Sequence, residues 1–288
     1  MRLSKAVRRI LLLAVPGLIV ALPPPATAAP PVRLDLLCAT EPATDGKAPE
    51  ITLAEALVQC DELIRQRGVE NEVLAFAYNN RCWLRHETED DGEAALRDCT
   101  LAIGLMPNLA QAYLNRGRIA ARLGRLDAAR RDFDEVIRLD LTNAAAWAGR
   151  GTVQLQAGQL QPAMDDADKA LELDPDLAAA YNLRGAVYEA IGAYDKAIAE
   201  FDRALAIAPG SAEVLLNRGI IALRRGDPAA ALRDFNRSIR QRDYHARAFL
   251  MRGFAYEALG RQDLARIDYN RAHAAGLTSA WVAERLSR

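Results

Sequence analysis

An all-α fold, a solenoid of stacked helical hairpins, is predicted by three ladders of small residues that share one interval. Gly117, Gly151, Gly185, Gly219 and Gly253 stand 34 residues apart. Ala129, Ala163, Ala197, Ala231 and Ala265 repeat that spacing, and Gly124, Gly158, Gly192, Gly226 and Gly260 fall between the two sets. One residue class held in one phase over five periods marks a single supersecondary unit, copied so that each copy buries its apolar face against the next. Function is therefore expected on the surface of the stack.

The elements follow in chain order. Arg2, Lys5, Arg8 and Arg9 precede an apolar run from Ile10 to Leu22, and residues 1–28 hold no acid. The run is short for a membrane span and has the layout of a secretory signal. Ala26-Thr27-Ala28 supplies small residues for cleavage after Ala28, whereas a cut one residue later would place Pro30 first. Residues 1–28 are read as a signal peptide directing export to a periplasm. An uncleaved inner-membrane anchor is the rival reading. Removing those four basic residues from 37 leaves 33 against 38 acidic ones. A mildly acidic exported chain has no general electrostatic reason to hold nucleic acid or an anionic membrane, and no membrane insertion is expected after cleavage.

Residues 29–50 contain four prolines and few large apolar groups, and read as a linker. Within 51–74, Thr52 with Glu55 forms a capping box for a helix near 53–66, which Arg67-Gly68 ends. This helix is expected to cap the stack, as solenoids require.

Residues 178–211 show the repeat itself. Tyr181, Arg184, Gly185 and Tyr188 recur at helical spacing along a first helix, and Gly192 ends it. Ala197, Phe201 and Ala204 share one face of a second helix, and Pro209 blocks its continuation. A mid-helix glycine such as Gly185 costs about 1 kcal/mol relative to alanine, so its repetition predicts close approach of the second helix, with the alanine ladder at the facing site. Tyr113, Trp147, Tyr181, Phe133, Phe201 and Phe235 are expected to fill the space between hairpins.

This order of residues resembles the tetratricopeptide repeat family. Six units are read, 75–109, 110–143, 144–177, 178–211, 212–245 and 246–279, followed by a short capping helix at 280–288. The resemblance implies antiparallel hairpins wound into a right-handed superhelix. The chain departs from the family in carrying Arg116, Arg150, Arg184, Arg218 and Arg252 where leucine usually precedes the glycine. Leu141, Asp243 and Leu277 replace proline at unit boundaries.

Each of these arginines is followed 16 residues later by an acid: Asp132, Asp166, Glu200, Asp234 and Asp268. In the first unit Arg81 and Asp98 stand 17 apart, consistent with one residue inserted in the turn. The pattern predicts a ladder of ion pairs between helices that sets register more than it adds stability.

All four cysteines, Cys38, Cys60, Cys82 and Cys99, precede residue 100. An even count in an exported chain predicts two disulfides in one of three connectivities. In the repeat register Cys82 takes the small-residue site of its first helix and Cys99 the aromatic site of its second. These sites face each other across a turn near 88–92, which predicts Cys82–Cys99 and leaves Cys38–Cys60. The stretch Ala77-Tyr78-Asn79-Asn80-Arg81-Cys82 also resembles a group of exported bacterial repeat proteins in which cysteines precede such units. Zinc binding would want paired CxxC spacing, which is absent. The acidic stretch Glu87–Glu93 lacks the alternating ligands of a calcium loop and reads as a solvated turn.

Catalysis is not expected. His86, His245 and His273 form no metal-binding spacing, and no nucleophile elbow, phosphate loop or dinucleotide motif is present. No cofactor or metal is expected either. What the resemblance implies instead is a groove lined by first helices that holds a protein or peptide segment. Carried over by position, its lining residues are Asn80, Trp83, Asn115, Arg118 and Arg122, then Leu155, Asn182, Leu183, Leu216 and Asn217, then Ile220, Met251 and Phe254. The expected role is a non-catalytic binding scaffold of a bacterial envelope. The rival readings are a self-associating structural component, hence a homo-oligomer, and an auxiliary subunit that tethers a catalytic partner.

Overall fold

A computed structural model describes residues 52–88, 91–241 and 246–277. Among the described residues all regular structure is α-helical: one helix followed by six hairpins. They fall into two compact units, 52–175 and 176–277. The signal, the linker, Cys38, His245 and the 280–288 segment lie outside the described residues.

The first unit opens with α1 (Leu53–Arg65). Its capping box forms as the sequence predicts: the Glu55 amide donates to Thr52 Oγ1 at 3.2 Å, and the Thr52 amide donates to Glu55 Oε2 at 2.7 Å. Buried Ala56, Cys60 and Leu63 of α1 pack with Ala77 and Leu84 of α2 (Asn71–Thr88), so α1 covers the first hairpin. α3 (Gly92–Leu105) completes that hairpin. Two more follow, α4 (Ala110–Arg122) with α5 (Leu126–Leu139), and α6 (Ala144–Gln156) with α7 (Leu160–Leu173). The second unit holds α8 (Ala178–Ala190) with α9 (Tyr194–Ile207), α10 (Ala212–Arg224) with α11 (Pro228–Gln241), and α12 (Ala246–Ala258) with α13 (Gln262–Ala274).

The turn inside each hairpin follows from the ladder glycine at its centre. Gly124 adopts φ +74°, its amide donates to the Ala121 carbonyl at 3.0 Å, and the Arg125 amide donates to the Ala120 carbonyl at 2.8 Å. This is the left-handed glycine stop that satisfies the last carbonyls of a helix. Gly158, Gly192, Gly226 and Gly260 repeat the pair of bonds.

The other glycine ladder, begun by Gly117, lets the second helix approach as expected, but the group it receives is not the alanine. A Cβ on Gly185 would lie 2.6 Å from Phe201 Cε1, one on Gly219 2.6 Å from Phe235 Cε1, and one on Gly117 3.1 Å from Phe133 Cε1. The glycine thus receives an aromatic ring from its own hairpin, four residues beyond the alanine predicted to face it. Phe133, Phe201 and Phe235 are fully buried there. Phe133 also lies against Gly149 of the next hairpin. In the hairpin of α2 and α3 a disulfide occupies this glycine–aromatic position. Cys82 and Cys99 are bonded with their Cα atoms 5.4 Å apart, the pairing read from the register. Cys60 is buried and disulfide-bonded as well.

The arginine ladder forms within every hairpin. Arg116 donates through Nε and Nη2 to both oxygens of Asp132 at 2.9 and 2.8 Å, and Arg150, Arg218 and Arg252 make the same fork with Asp166, Asp234 and Asp268. Arg81 does so with Asp98, and Arg184 places both donors on one oxygen of Glu200. The remaining nitrogen of several of these arginines reaches the preceding helix or hairpin. Arg81 meets Asp61, Arg150 meets Asp134, Arg218 meets Asp202 and Arg252 meets Asn236. Three residues upstream an aromatic ring lies against the guanidinium face: Tyr78, Tyr113, Trp147, Tyr181 and Phe249, with centroid distances of 4.7 to 5.7 Å. Tyr113, Trp147 and Tyr181 therefore sit half-buried under the ladder, while the phenylalanines fill the core.

Candidate partner-binding face

The arginine ladder occupies one side of the first helices. The opposite side carries the residues assigned to a groove, and the structure divides them into two groups. Asn115, Asn182, Leu183, Leu216, Asn217, Ile220 and Phe254 are buried, each 4 % exposed or less. Asn80, Trp83, Arg118, Arg122, Leu155 and Met251 are half-buried and remain on the surface.

Asn115, Asn182 and Asn217, expected to line the groove, are instead engaged with neighbouring side chains. Asn115 Nδ2 donates to Asn79 Oδ1 at 3.0 Å, and Asn115 Oδ1 accepts from Gln111 at 3.1 Å. In the second unit Asn217 Nδ2 donates to Asn182 Oδ1 at 3.1 Å, and Asn182 Nδ2 donates to Glu213 Oε1 at 3.4 Å. A buried amide left without partners costs about 1–3 kcal/mol, so each pair is a rung joining successive first helices. Leu216, Ile220 and Phe254 likewise belong to a core cluster with Leu223, Ala231 and Phe235, and Leu250 and Met251 pack at its edge.

Charged residues that the sequence reading passed over lie on the same side of the second unit. Glu189 is 8 % exposed and accepts from Arg224 at 2.9 Å. Burial holds its carboxyl above the usual glutamate range, an effect that Arg224 and Arg247 offset in part. Burial lowers the pKa of the Arg247 guanidinium, against the opposing pull of Glu189 and Glu213. In the first unit Arg118 behaves in the same way, with burial lowering its pKa and Glu87 acting against that shift.

The signal for these contacts was present in the sequence but off phase. Glu189 and Arg224 stand 35 residues apart, as do Asn182 and Asn217, while Asn79 and Asn115 stand 36 apart. Residues touching across neighbouring first helices are one or two places beyond the 34-residue repeat, because helices that cross at an angle bring non-equivalent positions together.

Among the described residues, no group of three or more His, Cys, Asp or Glu is arranged to hold a metal ion. No helix among them is long and apolar enough to cross a membrane.

Two family models described as tetratricopeptide repeat match the chain, one over residues 176–243 and the other over 114–178 and 216–278. Together they run without a break from 114 to 278. Among solved structures, a tetratricopeptide repeat protein from Parabacteroides merdae is similar at 20 % identity and TM-score 0.63, over 82 % of this chain and 91 % of that one. The Cut9–Hcn1 hetero-tetramer of the APC/C matches at 16 % identity and TM-score 0.70, over 81 % of this chain and 46 % of that one. A thermophilic repeat protein from Thermus thermophilus matches at 21 % identity and TM-score 0.55, over 62 % and 97 %. At these identities the likeness concerns the fold. No curated protein matches the sequence.

Proposed function

The chain belongs to the tetratricopeptide repeat family, a protein–protein interaction scaffold, and from that premise we propose that it is an exported envelope protein that binds a partner segment without covalent chemistry. The segment lies along the first helices, on the side away from the arginine ladder. The observation that carries this reading is the exposure left to Trp83, Arg118 and Leu155 on α2, α4 and α6. These three residues lie on consecutive first helices and remain half-buried while their neighbours are consumed by packing. Side chains with an aromatic ring, a guanidinium and a branched alkyl group on one rigid face suit anchoring of an extended or helical segment. Preformed hairpins make that face available with little ordering cost on binding.

The basic and apolar layout of residues 1–28 supports export, with Ala29 as the mature N-terminus. Mass mapping of the N-terminus from a fractionated cell tests this part: an intact Met1 segment would favour the anchored form. The binding face is tested by a photo-crosslinking amino acid placed in the native host. At Leu155 it should capture a partner. At Leu101 or Ile207, exposed on second helices, it should not. Capture from the second helices alone would move the site off the proposed face. Self-association remains the second reading, and a crosslink between copies of the chain through Leu155 would favour it.

A further inference from the structure

We propose that residues 32–41 are the first helix of a seventh hairpin, with α1 as its second helix and a Cys38–Cys60 bond between them. The stretch that reads as linker then supplies the outermost element of the first unit.

The register of α1 is the starting point. Arg81 Nη1 donates to Asp61 on α1 at 2.7 Å, as Arg150 does to Asp134 on α5 at 2.9 Å and Arg218 to Asp202 on α9 at 2.6 Å. Asp134 and Asp202 each follow the buried phenylalanine of a second helix, Phe133 and Phe201. Asp61 follows Cys60, so α1 is a second helix with Cys60 at the aromatic site. Ala56, four residues earlier and fully buried, takes the place of Ala129 and Ala197. Each of the other second helices directly follows its own first helix, whereas no described helix precedes α1.

The aromatic site meets the small-residue site of its own first helix. Phe133 lies against Gly117, Phe201 against Gly185, and Cys99 is bonded to Cys82. Cys60 is fully buried and disulfide-bonded, and Cys38 is the one cysteine left in the chain to hold it. Cys38 therefore takes the small-residue site. Its neighbours then replace the charged ladder in matched sets. Arg81 precedes Cys82 and grips Asp98, whereas Leu37 precedes Cys38 and Gln59 stands where the acid would. Gln59 Oε1 is buried without a hydrogen-bond partner, and a leucine opposite it supplies no donor. Tyr78 lies against the Arg81 guanidinium from three residues upstream, and Leu34 stands three residues before Leu37. Arginine, acid and ring are exchanged together, so no charge is stranded inside the hairpin.

The segment also carries the marks of a helix. Leu34, Leu37 and Cys38 share one helical face, Pro31 suits the first turn, and Pro42 ends it. Cys38 and Cys60 are 22 residues apart, five more than Cys82 and Cys99, and the extra length falls in the proline-containing turn.

The test is amide exchange, resolved by residue with NMR, on the full mature chain with both disulfides intact. Amides of residues 36–41 should exchange at least about tenfold more slowly than those of an unstructured chain, whereas those of 44–48 should not. Leu37→Arg should cut that protection. Adding Gln59→Asp should restore it roughly tenfold, because the two changes recreate the fork of the other hairpins. Thr44→Arg, in the turn, should leave the protection unchanged. Exchange in α13 checks that each variant folds. Unprotected 36–41 amides in the native chain would overturn the inference outright. So would a Leu37→Arg chain as protected as the native one, or a loss that Gln59→Asp fails to recover. Protection that rises with protein concentration, with a doubled mass by light scattering, would assign the open side of α1 to a second copy and overturn it as well.

Discussion

Arg150 reaches out of its own hairpin to Asp134 at 2.9 Å while its other donors hold Asp166 at 2.8 Å. One side chain thus ties the two helices of a hairpin together and links that hairpin to the one before it. Interactions with both acids raise the arginine's pKa against the effect of burial. The family's usual leucine at this site supplies only apolar packing; the arginine adds a charge geometry that fixes which residues face each other.

Breaking that link should be severe. Arg150→Ala strands Asp166, whose side chain is 7 % exposed, and should cost about 3–5 kcal/mol in urea denaturation. Replacing both partners, Arg150→Met with Asp166→Leu, should cost much less, because no buried charge remains alone. Arg138→Ala removes an exposed pair with Glu135 and should change stability by about 0.5 kcal/mol or less. Equal losses for Arg150→Ala and Arg138→Ala would show that the ladder is incidental.

The glycine–aromatic contact predicts an inverted propensity effect. Gly185→Ala should gain about 1 kcal/mol of helix propensity. The new Cβ meets Phe201 at 2.6 Å, however, and overpacking of this kind costs about 1–3 kcal/mol. A net loss is expected, and Phe201→Leu in the same chain should recover part of it. Net stabilisation by Gly185→Ala alone would refute the contact.

Cys82 and Cys99 close a loop of 17 residues, for which about 3 kcal/mol of stabilisation is expected. Cys82→Ser with Cys99→Ser should lower the denaturation midpoint by that amount. Cys82→Gly with Cys99→Phe installs the pair used by other hairpins and should restore part of the loss. Peptide mapping without reduction should recover Cys82–Cys99; a Cys60–Cys82 bond would contradict the structure.

The hairpin repeat, the arginine–acid pairs and the first-hairpin disulfide were legible because each obeys a single register. Arg116 and Asp132 touch within one unit, so every copy repeats their spacing. Asn182 and Asn217 were legible as face residues but not as partners, because contacts between units fall off the repeat phase. Phe201 was recognised as filling space, but its place against Gly185 depends on ring direction, which the position of a residue in a helix does not fix by itself. Arg118 stood out as a basic groove residue. Its place beside Glu87 emerged only when the neighbouring helices were placed.

Glu189 should give stability a pH dependence of definite sign. Its folded pKa is raised above the ordinary value of 4.5, so the folded chain binds the proton more tightly than the unfolded one. By linkage, stability falls as pH rises from 4.5 through the raised value and is flat above it. The stability of the native chain relative to Glu189→Gln should therefore decline over that window. A difference that grows with pH would mean that Arg224 and Arg247 outweigh burial.

Hydrogen exchange of the mature chain, with and without a peptide selected for binding to it, tests the binding face most directly. Added protection is predicted in α2, α4 and α6, with α3, α5 and α7 unchanged. Protection confined to those second helices would contradict it.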